Sequence, residues 1–580
     1  MPAHNSDVAS IFEELADILE IEGANPFRVR AYRNAARSVS GLSHSLRDLV
    51  QQDEDLTQYP GIGHELATKI KEIVDTGSLS ALEEARQRVS PDLVSLMHIQ
   101  GLGPKRVKAL HDKLGVKSLA DLQQAAAEGK VAELSGFGAK TQKSILEEIE
   151  RFQGEEKRYK LAVVEDVAAT LSRHLEQQNG VQKVEVAGSF RRRKETVGDL
   201  DILVTGNRPD EVMQALVNYE DVRQVLAHGQ TKSSVIMKNG LQVDLRFVEQ
   251  DSFGAALHYF TGSKAHNIAV RRLALDRELK VNEYGVFHGD HKVAGKSEEE
   301  VYASVGLPYI VPELREDRGE LEAAAKGRLP ELVQRKDLCG DLHVHTKASD
   351  GKNTLQELAQ AARDMGYEYL GVTDHTRNLS MVGGLDEHRL MEQMEEIEGL
   401  NAQISGITLL KGSEVDILKD GSLDLPDWVL QKLDFCVCSV HTAFHLSREK
   451  QTERILRAMD NSSCTILGHP SGRLIGSREA YDVDMERILQ GAKERNCVLE
   501  LNSQPDRLDL DDVYCKAAKE LGVKIAISSD AHQVGNLGLV RFGIGQARRG
   551  WLEAEDVINT KSLVELKEIF AFKKSHYNER

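Results

Sequence analysis

Apolar and polar positions change rhythm twice along the chain. Up to about residue 150, apolar residues recur at helical spacing in short runs broken by Gly-containing turns, which predicts a set of short helices. From about 151 to 315, helical runs mix with β-branched stretches such as VEVAGSF, LDILV and LQVDLRFV, the pattern of an α+β region. From Asp337 onward, short apolar strands alternate regularly with helical segments: DLHVH, YLGVTDH, ITLLKGSE, FCVCSVH, TILGH, CVLELN and KIAISSD. Such alternation predicts a parallel sheet with crossover helices, closed or nearly closed into a distorted (β/α)7-type barrel. Between the last two regions, the charged run REDRGELEAAAK, from Arg315 to Lys326, predicts a solvated helical linker.

Composition narrows the class without naming a function. A chain of 580 residues is too long for one core, and about three to five domains are expected. With 41% hydrophobic and 29% charged residues it reads as an ordinary folded, soluble protein, and no apolar run approaches a membrane span. The N-terminus lacks a basic stretch followed by an apolar one, so no secretion signal is expected. The six cysteines, Cys339, Cys436, Cys438, Cys464, Cys497 and Cys515, do not form a disulfide framework and read as buried thiols in a reducing cytoplasm. A formal net charge of −18 argues against non-specific coating of nucleic acid, yet it leaves room for local phosphate-binding patches and suits a protein rich in metal-binding carboxylates.

Three N-terminal segments repeat one theme, Gly-x-Gly at a helix entrance: Gly61/Gly63, Gly101/Gly103 and Gly136/Gly138, each followed by Lys or Arg. A helix N-terminus offers unpaired N–H groups, and glycine lets a phosphate approach them closely. One copy is usually just a turn. Three resemble helix–hairpin–helix motifs, which grip the DNA backbone without reading its sequence. Lys69 lies in the first of these helices with Lys71 nearby. A partly desolvated lysine beside other cations can form a Schiff base with an aldehyde. A phosphate-contacting surface lysine accounts for the same residues equally well.

In VAGSFRRRKETVGDLDILV, Asp199 and Asp201 stand two residues apart, so both carboxylates project from one face of a strand. Asp244, in LQVDLRFV, adds a third on a later strand. Three such carboxylates can hold two Mg²⁺ or Mn²⁺ ions about 3.5–4 Å apart, the arrangement used for in-line nucleotidyl transfer. An isolated Asp-x-Asp is usually a turn or a solvated edge. Preceded by Gly188-Ser189 and followed by Asp244, it resembles the nucleotidyltransferase superfamily.

The segments Tyr259-Phe-Thr-Gly-Ser263, Asn267, Arg271 and Asn282-Glu-Tyr-Gly285, together with GSFRR, resemble the family X DNA polymerases, small repair enzymes. The likeness spans residues 1 to about 315. It implies a lyase-like helical domain (1–82), a fingers-like helix–hairpin–helix domain (83–152), a palm (153–250) and a nucleotide-selecting domain (251–315), then a linker (316–336). By this resemblance Ser189 and Arg192 contact the triphosphate, and Gly262 is part of the nucleotide-binding site. Tyr259 and Phe260 pack against the sugar, Asn267 touches the base, and Arg271 contacts DNA. Lys69 falls on the family's Schiff-base lysine, whereas Glu65 stands where lyase-competent members often carry another lysine.

In the C-terminal region (337–580) nearly every strand ends on a His, Asp or Glu: His343, His345, Asp350, His375, Glu414, His441, His469, Asp530 and His532. Strand C-termini are where such barrels build their chemistry. One His at a strand end is usually structural; nine ligand-type residues point to a cluster of two or three Mn, Zn or Fe ions able to activate water on a phosphoester. The motifs DLHVHT, TDH, GSE, SVH, GHP and DAH resemble the PHP family (polymerase and histidinol phosphatase).

The expected protein is therefore a cytoplasmic, nucleoid-associated, monomeric repair enzyme acting on gapped or nicked duplex DNA. It would fill gaps from deoxynucleoside triphosphates and trim or dephosphorylate 3′ ends, with abasic sites as a further substrate. The alternatives are a DNA-tethered PHP nuclease or phosphatase with an inactive palm, and a non-catalytic DNA-end scaffold.

Overall fold

The computed structural model describes residues 5–40, 46–59, 61–89, 93, 96, 102, 104–134, 137–138, 141–142, 145–146 and 158–575. It divides into two compact units, Met1–Lys157 and Arg158–Arg580.

The first unit is helical, as its sequence rhythm predicts. Helices Asn5–Glu22, Pro26–Ser40, His64–Thr76, Ser80–Arg88 and Pro104–Leu114 share a core that includes Phe12, Leu15, Tyr32, Ile70, Ile73 and Leu110. Gly63 caps the helix His64–Thr76, and its carbonyl accepts from Ala67 N at 2.9 Å. Gly138 accepts from Gln142 N at the same distance, so two of the three Gly-x-Gly segments open helices as expected. Gly101, Gly103 and Gly136 lie outside the described residues.

The second unit opens with the short strand β1 (Tyr159–Lys160), followed by β2 (Val181–Val186), β3 (Thr196–Val197) and β4 (Asp199–Gly206). Strands β5 (Val222–His228), β6 (Lys232–Met237) and β7 (Gln242–Phe247) complete a five-stranded sheet in the order β2-β4-β7-β6-β5. Only the β4–β7 pair in it is parallel. Helices Phe253–Thr261 and Lys264–Leu275 lead to a small antiparallel sheet of β8 (Leu279–Asn282), β9 (Gly285–His288) and β10 (His291–Ala294).

The expected solvated linker is corrected. Arg315 and Glu320 are fully buried, and Leu321 and Ala324 join the core that follows β10. Arg315 donates to Glu298 at 2.5 Å, and the His266 ring meets Glu320 at 2.6 Å. Charge along a sequence signals exposure only until a buried partner of opposite sign is available.

Beyond it run the strands β11 (Gly340–Val344), β12 (Tyr369–Val372), β13 (Thr408–Lys411), β14 (Glu414–Asp416), β15 (Val437–Ser439), β16 (Ile466–Leu467), β17 (Val498–Asn502) and β18 (Ile525–Ser528). All pairings among them are parallel. They form two sheets, β11-β12-β13 and β14-β15-β16-β17-β18, because one strand breaks at Gly412-Ser413 into β13 and β14. Single bridges His375–Glu414 and Val344–Ala531 link the sheets, so the ring of seven βα units is distorted and its ladder is not continuous. The strands alternate as period two requires. Val437, Ile466, Val498 and Ala526 cluster with Phe435, Leu566 and Phe570, whereas Cys436, Cys438, Leu467, Leu499, Ile525 and Ile527 face the surrounding helices. Five cysteines are buried, Cys339 is half-buried, and all six are free thiols.

Candidate functional site

The sheet β2–β7 brings the three predicted carboxylates together. In the parallel β4–β7 register Asp201 lies opposite Asp244, and Asp199 follows on the same face of β4. Burial, then the charges of Asp199 and Asp244, pushes the Asp201 carboxyl up to about 7. Asp199 is raised too, by burial and by Asp244. Burial also opposes ionisation of Asp244, but Lys232 at 2.7 Å, Ser234 and Gln242 outweigh it and hold that carboxyl below its usual range. Crowded carboxylates that resist ionising together are a donor set that a divalent cation relieves. Gly188 is needed where it stands: its φ is +65°, and a Cβ there would lie 2.8 Å from Asp201 Oδ2.

The residues expected around a nucleotide converge on the same end of the sheet. Ser189 sits on the short helix Gly188–Arg191 directly after β2. Tyr259 and Phe260 end the helix Phe253–Thr261 and meet edge to face at 5.0 Å, with the Arg246 guanidinium 4.2 Å above Phe260. Asn267 is buried and donates to Tyr259 O at 2.7 Å, leaving its side-chain oxygen without a partner among the described residues. Arg271 is exposed and donates to Asn267 O.

The Arg191–Arg193 run is not a loose basic loop. Arg191 pairs with Glu298 at 2.7 Å, Arg192 with Glu316 at 2.9 Å, and Arg193 with Glu165 at 3.1 Å. Gly262, at φ +69°, leaves room for Arg192, whose Nη1 would lie 3.1 Å from an added Cβ.

In the helical unit, a cleft of about 830 Å³ is lined by Arg28, Tyr32, Gly61, Gly63, His64 and Glu65. Beside it Lys69 pairs with Glu65 at 2.8 Å. Burial pulls the Lys69 ammonium down, but Glu65 and Tyr32 outweigh it and hold it above its usual value. Of the two sequence readings of Lys69, Schiff-base former and phosphate-contacting surface lysine, neither is singled out: its bonded neighbour is the anion Glu65.

All nine predicted residues of the C-terminal region meet at the strand C-termini. Glu414 is the hub. One oxygen lies 2.9 Å from His375, 3.4 Å from His343 and 3.7 Å from His345; the other lies 3.0 Å from His469 and 3.3 Å from His441. Asp530 reaches His345 at 3.2 Å, and Asp350 reaches His532 at 3.3 Å and His375 at 3.6 Å. Three overlapping groups have donor atoms within 4.8 Å of one another: His345/Asp350/His375/His532, His343/His345/Asp530 and His375/Glu414/His441. His343 Nε2, both ring nitrogens of His345 and His469 Nδ1 are buried with no hydrogen-bond partner among the described residues. Orphaned imidazole nitrogens facing carboxylates fit a cluster of borderline cations such as Zn, Mn or Fe. His469 (φ 24°) and Asp530 (φ 51°) hold left-handed backbone without being glycine, strain of the kind found at functional sites.

A surrounding layer went unread in the sequence. Glu500 accepts from His343 Nδ1 at 2.6 Å, and Asp416 accepts from His441 Nδ1 at 2.5 Å. Such partners orient ligand rings and raise their basicity. Strand period could have found both, since Asp416 is two residues past Glu414 and Glu500 two past inward-facing Val498. Of the two arginines that the sequence marks near ligand-bearing strand ends as phosphate binders, Arg507 lies 3.8 Å from Asp530 with one guanidinium nitrogen buried and without a hydrogen-bond partner among the described residues, whereas Arg473 is held by Glu195 at 2.6 Å.

With both sites in view, likeness to known proteins becomes decisive. Residues 161–275 match the DNA polymerase beta palm and 256–316 the DNA polymerase beta thumb. Residues 3–79 and 93–151 match helix–hairpin–helix families, and 341–504 match the PHP domain. Over 576 residues, 98% of this chain and 99% of the relative, it is 37% identical to the DNA polymerase/3'-5' exonuclease PolX of Bacillus subtilis. The chain belongs to the family X DNA polymerases that carry a C-terminal PHP domain. Its PHP part is also 31% identical to a probable phosphatase of Thermoanaerobacter, over 38% of this chain and 89% of that protein. Among the described residues, no helix of this family X member is long and apolar enough to cross a membrane.

Proposed function

We propose that this chain fills short gaps in duplex DNA by template-directed nucleotidyl transfer and trims 3′ ends hydrolytically at a separate PHP site. The observation that carries the first half is the register placing Asp201 opposite Asp244 with Asp199 on the same face. When bound, two Mg²⁺ or Mn²⁺ ions would supply activation of the primer 3′-hydroxyl and charge neutralisation on the leaving pyrophosphate. The chain's own part is to keep Asp244 ionised through Lys232, to present Ser189 and Arg192 to the triphosphate, and to set Tyr259 and Phe260 against the sugar.

For the second half, the nine converging side chains are the support. A cluster of two or three ions there would supply a hydroxide nucleophile. Glu500 and Asp416 orient their histidines, and Arg507 offers the cation nearest the ligands for a substrate phosphate. The relative's printed name favours a 3′-5′ exonuclease, and the phosphatase relatives of the PHP part favour 3′-phosphate removal at the same centre. A reading with an inactive palm has less support, because all three carboxylates are in register.

The test follows a labelled primer on one-nucleotide-gapped DNA with a 5′ phosphate, in Mg²⁺ or Mn²⁺. Templated extension with nucleotides and shortening without them is the expected result; shortening without extension would reduce the protein to a DNA-tethered hydrolase.

A further inference from the structure

Arg192, assigned above to the triphosphate, is spent on protein partners here. Its Nη1 donates to Thr261 O at 2.5 Å and its Nε to Glu316 Oε1 at 2.9 Å. Glu316 is shared. Arg549, at the end of the PHP-domain helix Val540–Arg549, donates Nη1 to that same oxygen at 2.9 Å and to the backbone carbonyl of Arg192 at 2.8 Å. Its Nη2 donates to Asp512 at 2.6 Å, which also takes Arg318 at 3.0 Å. Little of this network is wet: the side chains of Arg192, Glu316, Asp512 and Arg549 are 12%, 12%, 13% and 2% exposed.

For its Nε edge to turn to a triphosphate, Arg192 must let go of Glu316. A buried carboxylate stripped of its only cation costs several kcal/mol, whereas one that keeps a second cation loses much less. Arg549 is the second cation bonded to it, and Lys194 lies near both Glu316 and Asp512. It is anchored independently through Asp512, so it stays when Arg192 leaves, and its bond to the Arg192 carbonyl fixes the backbone from which the side chain swings.

We propose that Arg549, supplied by the PHP domain, is a positioning residue for the polymerisation reaction: by holding Glu316 it leaves Arg192 available to the triphosphate. The inference rests on the reading of Arg192 as a triphosphate ligand. It ties the polymerase site to the PHP domain through a charged contact rather than through either set of metal ligands.

The experiment is steady-state incorporation of one nucleotide into gapped DNA by the full chain. The variants are Arg549→Met, Glu316→Gln, the double variant and Arg192→Ala. Arg549→Met leaves Arg192 as the partner that must stay with Glu316, so the KM for nucleotide should rise about tenfold, equivalent to one pKa unit of interaction, with little change in kcat. Adding Glu316→Gln removes the carboxylate that captures Arg192 and should return KM to within about threefold of the parent, a coupling that a double-mutant cycle reads directly. A merely structural role for Arg549 would not be rescued by that second change. An unchanged KM in Arg549→Met, or a raised KM that Glu316→Gln fails to restore, overturns the proposal. If Arg549→Met proves misfolded by its melting temperature and PHP hydrolysis, Arg549→Gln, which keeps a hydrogen-bond donor but not the charge, is judged by the same criterion. An Arg192→Ala variant with unaltered KM overturns the triphosphate assignment itself, and the inference with it; a raised KM there with none in Arg549→Met overturns the inference alone.

Discussion

Asp201 and Asp244 face each other across a parallel strand pair; burial, then the charges of Asp199 and Asp244, lifts the Asp201 carboxyl to about 7, while Lys232 helps hold Asp244 below its usual range. Burial and neighbouring charge thus favour ionisation of Asp244 over that of Asp201. The same strand places Asp199 on the same face as Asp201.

Replacing Asp201 by Asn should remove several kcal/mol of metal-mediated transition-state stabilisation, on the order of a thousandfold in primer extension. PHP-dependent shortening of the same primer should be unchanged. Loss of both activities would mean that the two sites are not independent. Gly188→Ala should fail in the same direction, because its Cβ would press on Asp201 Oδ2 at 2.8 Å from a backbone of φ +65°.

Glu500→Gln removes the carboxylate that accepts from His343 Nδ1 and from His469 N without replacing any of the nine ligand-type residues. Partners of this type are worth about 10–100-fold in metal affinity. The expected outcome is a metal titration of hydrolysis displaced to higher concentration by that factor, with extension unaffected. An undisplaced titration would show that the ring is oriented by its strand alone.

The buried pair Glu298–Arg315 makes an acid-stability prediction. Although burial opposes it, Arg315 and Arg191 hold the Glu298 carboxyl at about 2, against its usual 4.5. A carboxyl lowered in the folded state stabilises fully above 4.5 and loses that contribution as pH falls from 4.5 toward 2. The contribution is on the order of 3 kcal/mol. Glu298→Gln should therefore flatten the melting temperature between those pH values while lowering it at neutral pH. An acid limb identical to the parent's would place the titration elsewhere.

Lys69 is held protonated by Glu65, so borohydride trapping on a 5′-deoxyribose phosphate end should be weak at neutral pH. Glu65→Gln removes the pairing that raises the ammonium, leaving burial, and trapping should increase. A trapped product that is abundant in the parent and insensitive to Glu65 would assign the nucleophile to another amine.

Much of the chemistry was legible because it depends on local periodicity. Asp199 and Asp201 share a face by the period of two, and the nine PHP residues announce themselves at strand ends because a parallel β/α alternation leaves its C-terminal edge open. Gly63 and Gly138 opening helices is likewise local. What the chain could not state by itself was which faces meet. Only register set Asp201 opposite Asp244, only the turn of β13 into β14 made Glu414 the hub of five histidines, and only domain packing brought Arg549 to Glu316 and buried Arg315 in a segment that reads as solvated. Spacing along a strand or helix fixes the direction of a side chain, whereas its partner, its dielectric surroundings and hence its charge depend on contacts between residues far apart in sequence, which exist only once the tertiary structure has formed.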